Sequence, residues 1–215
     1  MARRTMPVVA TLMAGATLLL TSCGSGGDDA SPDKIEGAGG GSEKSKTSAP
    51  AKPGEPDLSL PSDLKVEFGS SKSSDPRQAA AQENAENYIR ALNHGITAQD
   101  PKDPAYQFYS LGNATRYAQE QIKSWVDDKW TATGTDTYYR PKTDKVGTAG
   151  VLVTMCRDQS KFYGKNVESK KIRYTKPSLD DYQEFRLLMK EPKGSQKIWK
   201  VLQIEVEGRV KECRR

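Results

Sequence analysis

Three cysteines, one histidine and a carboxylate beside a strand end are the residues whose chemistry can be read from their positions. Cys23 is the most specific of them. It closes Leu20-Thr21-Ser22-Cys23, behind Arg3, Arg4 and an apolar run over residues 6–20, which is the layout of a lipobox. A thiol at that point is the nucleophile that accepts a diacylglycerol group before cleavage between Ser22 and Cys23. The apolar run is about 15 residues, short of the roughly 20 that a helix needs to span a bilayer. Basic residues ahead of so short a run mark a removable export signal. The sequence therefore predicts a signal peptide over residues 1–22, lipid attached at Cys23, and a chain held at the extracytoplasmic face of the cell membrane. Arg3-Arg4 is compatible with twin-arginine export, but the rest of that motif is absent, so general secretion is the expected route.

Cys156 and Cys213 form a thiol pair in what would be an exported domain, which makes them a disulfide candidate. A bridge across 57 residues is worth roughly 4 kcal/mol by the chain-entropy model. No metal site or cofactor is expected, because two cysteines and the single His94 make no ligand set and no C-x-x-C occurs. His94 sits toward the C-terminal end of a predicted helix, where the dipole favours an imidazolium. No serine or cysteine nucleophile motif accompanies it, so no catalytic constellation is expected. Asp158 and Ser160 lie just past a predicted strand end, where their side chains can bond nearby backbone amides and shape a turn. Asp158 also lies among basic residues, which would hold it ionised.

The elements that position these residues fall in two groups. Asp75 caps and Pro76 opens a first helix whose face is Ala81, Ala85, Tyr88, Ile89, Leu92 and Ile96. A short helix follows Asp103-Pro104 and stops at Gly112. A third helix, capped by Asn113, turns Tyr117, Gln121, Ile122, Trp125 and Val126 inward. Strands then dominate. The segments 131–140, 146–157, 182–190 and 197–206 carry alternating or β-branched patterns, with Gly147 and Gly150 as bend or bulge markers. Helices first and strands afterwards predict an α+β domain, a curved antiparallel sheet with helices on one face.

Composition divides the mature chain. Residues 23–74 form a lipidated start and a tether rich in Gly, Ser, Pro and Asp, which buries too little to offset ordering. Within the tether, residues 58–68 (Leu58, Leu60, Leu64, Val66, Phe68) either dock as an edge strand or remain loose. Residues 75–215 form the domain. Residues 24–74 hold 6 Lys against 9 Asp/Glu, and residues 75–215 hold 25 Lys/Arg against 19 Asp/Glu. Much of that excess lies in residues 157–176, read as a solvated basic hairpin that could also meet anionic head groups or wall polymers. Nucleic acid is not an expected partner in that compartment.

The helix-then-meander order resembles the cystatin-like cone of nuclear transport factor two, ketosteroid isomerase and the SnoaL-type cyclases. Within that group, the strand Val151-Leu152-Val153-Thr154-Met155-Cys156 followed by Arg157-Asp158-Gln159-Ser160 resembles the C-x-D-x-S strand of small secreted actinobacterial lipoproteins. Cys213 near the C-terminus and Trp199-Lys200-Val201 are similar to that family too. The resemblance implies fold, export and a disulfide, and no catalytic residues. It frames two functional expectations. One is a non-enzymatic, membrane-anchored module that binds an anionic wall polymer or envelope protein. The other is a small isomerase or hydratase with Asp158 and a tyrosine as acid and base. Tyr88, Tyr106, Phe108, Tyr109, Tyr117, Trp125 and Trp130 either line the mouth of such a cone or fill its core. A two-lobed solute-binding protein is disfavoured by the size of the domain.

Overall fold

Helix α1 (Pro76–Ala98) starts where a carboxylate can satisfy its free amides: Asp75 accepts from the Arg77 and Gln78 amides at 2.9 and 3.3 Å. The computed structural model describes residues 54–195 and 197–215. The signal segment, Cys23 and the tether up to residue 53 lie outside the described residues. The six apolar positions predicted for one face of α1 are all buried. Gly95 lies inside α1 because a Cβ there would stand 2.5 Å from Ile122 Cδ1 of α3, so its bareness lets the two helices touch. Helix α2 (Pro104–Tyr109) is capped by Asp103, whose carboxylate accepts from the Ala105 amide at 2.7 Å. Helix α3 (Gly112–Asp127) begins at Leu111 without a side-chain cap. Asn113, expected to cap it, instead accepts from the Ile204 amide at 3.3 Å and ties α3 to the sheet.

The strands are β1 (Leu64–Phe68), β2 (Trp130–Val146), β3 (Gly150–Asn166), β4 (Ile172–Arg173), β5 (Tyr182–Lys190) and β6 (Lys200–Gly208). They form one sheet in the order β1-β2-β3-β5-β6, with β4 paired to the far end of β3. The α+β class is as expected, but the sheet is mixed, because β1 runs parallel to β2 while the other pairs are antiparallel. The segment read from 146 to 157 as one strand is divided. Val146 ends β2, Gly147 turns at φ +58, and Gly150 starts β3. Bulges interrupt β2–β3 pairing between Thr135 and Thr137 and between Tyr139 and Lys142, and each adds a local bend.

The helices pack against one face of this sheet. The core between them holds Tyr88, Ile89, Ile122, Tyr138, Met155, Leu187 and Met189, each 2% exposed or less. Strand β1 belongs to that core. Leu64 is fully buried and Leu60 nearly so, which places residues the composition assigned to the tether inside the folded unit. Five residues with three apolar side chains give too short a pattern to distinguish a docked strand from loose chain.

On the opposite face, Cys156 of β3 and Cys213 form the disulfide, with their Cα atoms 5.3 Å apart. Tyr139, Tyr182 and Val210 pack around it. The Tyr139 hydroxyl donates to the Cys213 carbonyl, and the Arg140 guanidinium donates to the Glu212 carbonyl at 2.7 Å. The C-terminus is thus held against the middle of β3.

Two outcomes follow from this packing. Leu64→Ala should lower stability by about 2–5 kcal/mol, as for other buried leucines, measured by urea unfolding; a loss under ~1 kcal/mol would mean that β1 is not part of the core. The Cys156→Ser/Cys213→Ser pair should lose about 2–4 kcal/mol in the same assay without reductant.

Candidate functional site

Strand alternation decides which polar side chains of β3 face the helices. Val151, Val153 and Met155 point inward, and the next position in phase is Arg157 rather than Asp158. Arg157 was grouped with the exposed basic residues of 157–176. Instead its side chain is 14% exposed and faces the interior. Its partner is Asp136 of β2, fully buried and in phase with Tyr138. The guanidinium grips the carboxylate with both arms, Nε to Oδ1 at 2.7 Å and Nη2 to Oδ2 at 2.9 Å. The Tyr138 hydroxyl donates to Asp136 Oδ2 at 3.1 Å, and Arg157 Nη1 donates to Gln183 Oε1 at 3.0 Å.

Aromatic rings enclose this pair. The guanidinium carbon lies 5.0 Å from the Phe162 centroid, 5.7 Å from Phe185 and 5.8 Å from Tyr138. Burial alone would lower the Arg157 pKa, but the Asp136 carboxylate outweighs it and drives it above the ordinary arginine range. Burial pushes the Tyr138 phenol well up. The guanidinium therefore stays charged and the phenol stays protonated at any physiological pH. Both oxygens of Asp136 are thus engaged, by three donor groups in all.

Asp158 points the other way. It pairs opposite Thr137 on the disulfide side of the sheet, and its Oδ1 accepts from the Ser160 amide at 3.0 Å. The carboxylate expected as an acid/base therefore lies on the disulfide side of the sheet, away from the enclosed side. The turn-shaping alternative describes what it does. Gln159 and Ser160 together oppose Asp136 across the bulge, and the Asp158–Ser160 contact braces it. The C-x-D-x-S stretch thus has one structural task per residue: Cys156 holds the disulfide, Arg157 enters the core, Asp158 and Ser160 fix the bulge. His94 pairs its Nδ1 with Asp103 Oδ2 at 2.7 Å, linking α1 to the cap of α2. Among the described residues, no group of three His, Cys, Asp or Glu side chains could hold a metal ion.

The bulge also builds the open end of the sheet. One extra residue shifts the phase of β3, so that Phe162 and Gly164 take the inward positions that odd-numbered residues hold before it. Gly164 stands opposite Ala132 on β2 and Arg173 on β4. A Cβ at Gly164 would lie 3.3 Å from Trp130 Cε3 and 3.9 Å from Trp125 Cζ3, so the bare backbone lets both indoles close on the strand. Trp125, near the end of α3, meets Phe162 edge-on at 5.9 Å. The result is a groove of about 280 Å³ with Trp125, Trp130 and Phe162 in its wall and Ser124, Asp128, Arg173 and Thr175 at its edge. The seven aromatics named from the sequence therefore separate. Tyr88, Tyr106 and Tyr109 are core, whereas Trp125 and Trp130 are half-buried and line the groove.

No family model matches the chain, and no curated protein is similar to it. Among solved structures it is similar to a ketosteroid isomerase-like protein from Erwinia carotovora atroseptica SCRI1043, with a TM-score of 0.42 and 13% identity over 62% of this chain and 97% of that one. It is also similar to the intermembrane space region of the chloroplast protein ARC6, with a TM-score of 0.36 and 14% identity over 62% of this chain and 99% of that one.

The inner pair makes a sharp energetic prediction. Asp136→Asn or Arg157→Met alone should cost about 3–5 kcal/mol, because each strands a buried partner. Combining Asp136→Leu with Arg157→Met should cost less than either. Urea unfolding of the three variants checks this, and additive losses would contradict it.

Proposed function

We propose that this chain is a lipid-anchored, extracytoplasmic binding module that holds a component of the cell envelope in the groove formed by α3, β2, β3 and β4. The observation that carries this reading is a contrast between two sites. The charge on the enclosed side of the sheet is closed on itself through Arg157, Asp136, Tyr138 and Gln183. The groove at the sheet's open end instead presents two half-buried indoles beside exposed polar side chains. An isomerase would need a carboxylate aimed into a cavity; Asp158 faces away, and both oxygens of Asp136 are already engaged by Arg157 and Tyr138. Binding through a concave, largely aromatic site with a few polar groups is the use such a surface suits. The anchor rests on the lipobox at Cys23 and on the chain that separates it from the first described residues.

Two experiments test the two halves. Cys23→Ala should move the protein from the membrane fraction to the soluble exported fraction; unchanged sedimentation would refute the anchor. The purified full protein in detergent should cosediment with isolated cell-wall fragments. Trp130→Ala should cut the bound fraction at least severalfold, while Asp158→Asn should leave it unchanged. Equal binding by all three proteins would refute the groove as the binding surface.

A further inference from the structure

The chemistry around the groove specifies its occupant more closely than its location does. The wall is aromatic, from Trp125 and Trp130. A ring face carries partial negative charge and suits groups that present partially positive C–H bonds in a plane. The edge carries Ser124, Asp128, Arg173 and Thr175, all exposed. Among the described residues none of these four side chains has a hydrogen bond or ion pair to protein. A carboxylate and two hydroxyls are suited to vicinal hydroxyl groups, and a guanidinium is suited to a carboxylate, which it can hold with two parallel bonds. An apolar occupant would use neither set. A planar C–H face together with hydroxyls and an acid is the description of a sugar acid.

Size and charge extend the argument. About 280 Å³ lies just under the roughly 300–1,000 Å³ of small-molecule sites, so the groove takes one ring of a longer molecule. The surface beside it is cationic. Residues 161–176 hold Lys161, Lys165, Lys170, Lys171, Arg173 and Lys176 against a single Glu168. Lys165 is neutralised by Asp63, and Glu168 is taken by Lys129. Lys161 projects from the other face of β3, whereas Lys171, Arg173 and Lys176 have no carboxylate partner among the described residues. Such a field attracts a polyanion and speeds its encounter. Asp128 in the groove's edge can accept from sugar hydroxyls, which a glycan ring offers and a deoxyribose phosphate backbone does not, and this favours a glycan over a nucleic acid.

We propose that the groove is a single-ring subsite for an acidic polysaccharide. One pyranose ring rests on Trp125 and Trp130, its carboxylate meets Arg173, its hydroxyls meet Asp128 and Thr175, and the flanking sugar acids run along the cationic hairpin. This rests on the groove being the binding surface, as proposed above.

Calorimetric titration of the purified full protein with oligogalacturonate, hyaluronan oligosaccharides, cellohexaose and oligo-dT tests it. At least one of the two acidic glycans should bind saturably, at least tenfold more tightly than cellohexaose or oligo-dT. Arg173→Gln, at an exposed side chain, should erase the preference for acid over neutral sugar. Gly164→Leu, which fills the groove, should abolish glycan binding, with folding checked by near-ultraviolet circular dichroism. Binding of neither acidic glycan, an unchanged preference in Arg173→Gln, or oligo-dT binding as tight as the glycans would overturn the proposal. If wall fragments still cosediment in a Trp130-dependent manner while both acidic glycans fail, the ligand class is wrong and the binding-module reading stands. If both assays fail, both are wrong.

Discussion

A paired charge buried under the helices is the constraint around which this domain is organised. Arg157 and Asp136 can leave water only if the guanidinium and carboxylate meet with good geometry and their remaining valences are filled. The two arms of the guanidinium, the Tyr138 hydroxyl and the Gln183 amide fulfil that condition, and three rings exclude solvent. Four groups on three neighbouring strands, β2, β3 and β5, must therefore keep one register. A slip of a single residue would turn Arg157 to the disulfide face and leave Asp136 unpaired. The pair adds little to net stability compared with apolar residues of the same shape. What it contributes is a penalty on every other register.

The bulge at Gln159 and Ser160 is where that constraint meets the groove. Before it, odd-numbered residues of β3 face inward; after it, even-numbered ones do. The bulge, next to the Arg157–Asp136 pair, thus delivers Phe162 and the bare backbone of Gly164 to the place where Trp125 and Trp130 close. Asp158 braces the bulge from the far side through the Ser160 amide, two residues from the cysteine that fixes the C-terminus. Inner pair, outer disulfide and open groove are consequences of one short stretch of strand.

Much of this was legible in the sequence where a local pattern carried it. The cap at Asp75 and the buried stripe of α1 follow from spacing. The disulfide follows from a thiol pair in a chain whose sequence predicts export. The inward phase of Phe185, Leu187 and Met189 follows from alternation. What was not legible depends on pairing between distant strands. Asp136 lies in a Thr- and Tyr-rich segment and reads as one more polar position until Arg157 is placed opposite its neighbour Tyr138. Carrying the alternation of Val151, Val153 and Met155 one step further would have turned Arg157 inward and Asp158 outward. The groove could not be read at all, because Trp125, Trp130 and Gly164 converge only through the phase shift of a bulge. Whether residues 58–68 dock as an edge strand could not be decided from sequence, because the partner of β1, β2, lies more than 60 residues away and pairs with it in parallel.

The enclosed side of the sheet is sealed by its own charges, which leaves the open end as the proposed place of recognition. The nitrogen-attached protons of both sites report on this in a single spectrum. In a ¹H–¹⁵N correlation experiment on the protein in detergent micelles, soluble fragments of digested cell wall should shift the indole signals of Trp125 and Trp130. The Arg157 Nε–H signal and the indole of buried Trp199 should stay in place. A shift of the Arg157 signal, with the two groove indoles unmoved, would place the ligand inside the sheet and contradict the account.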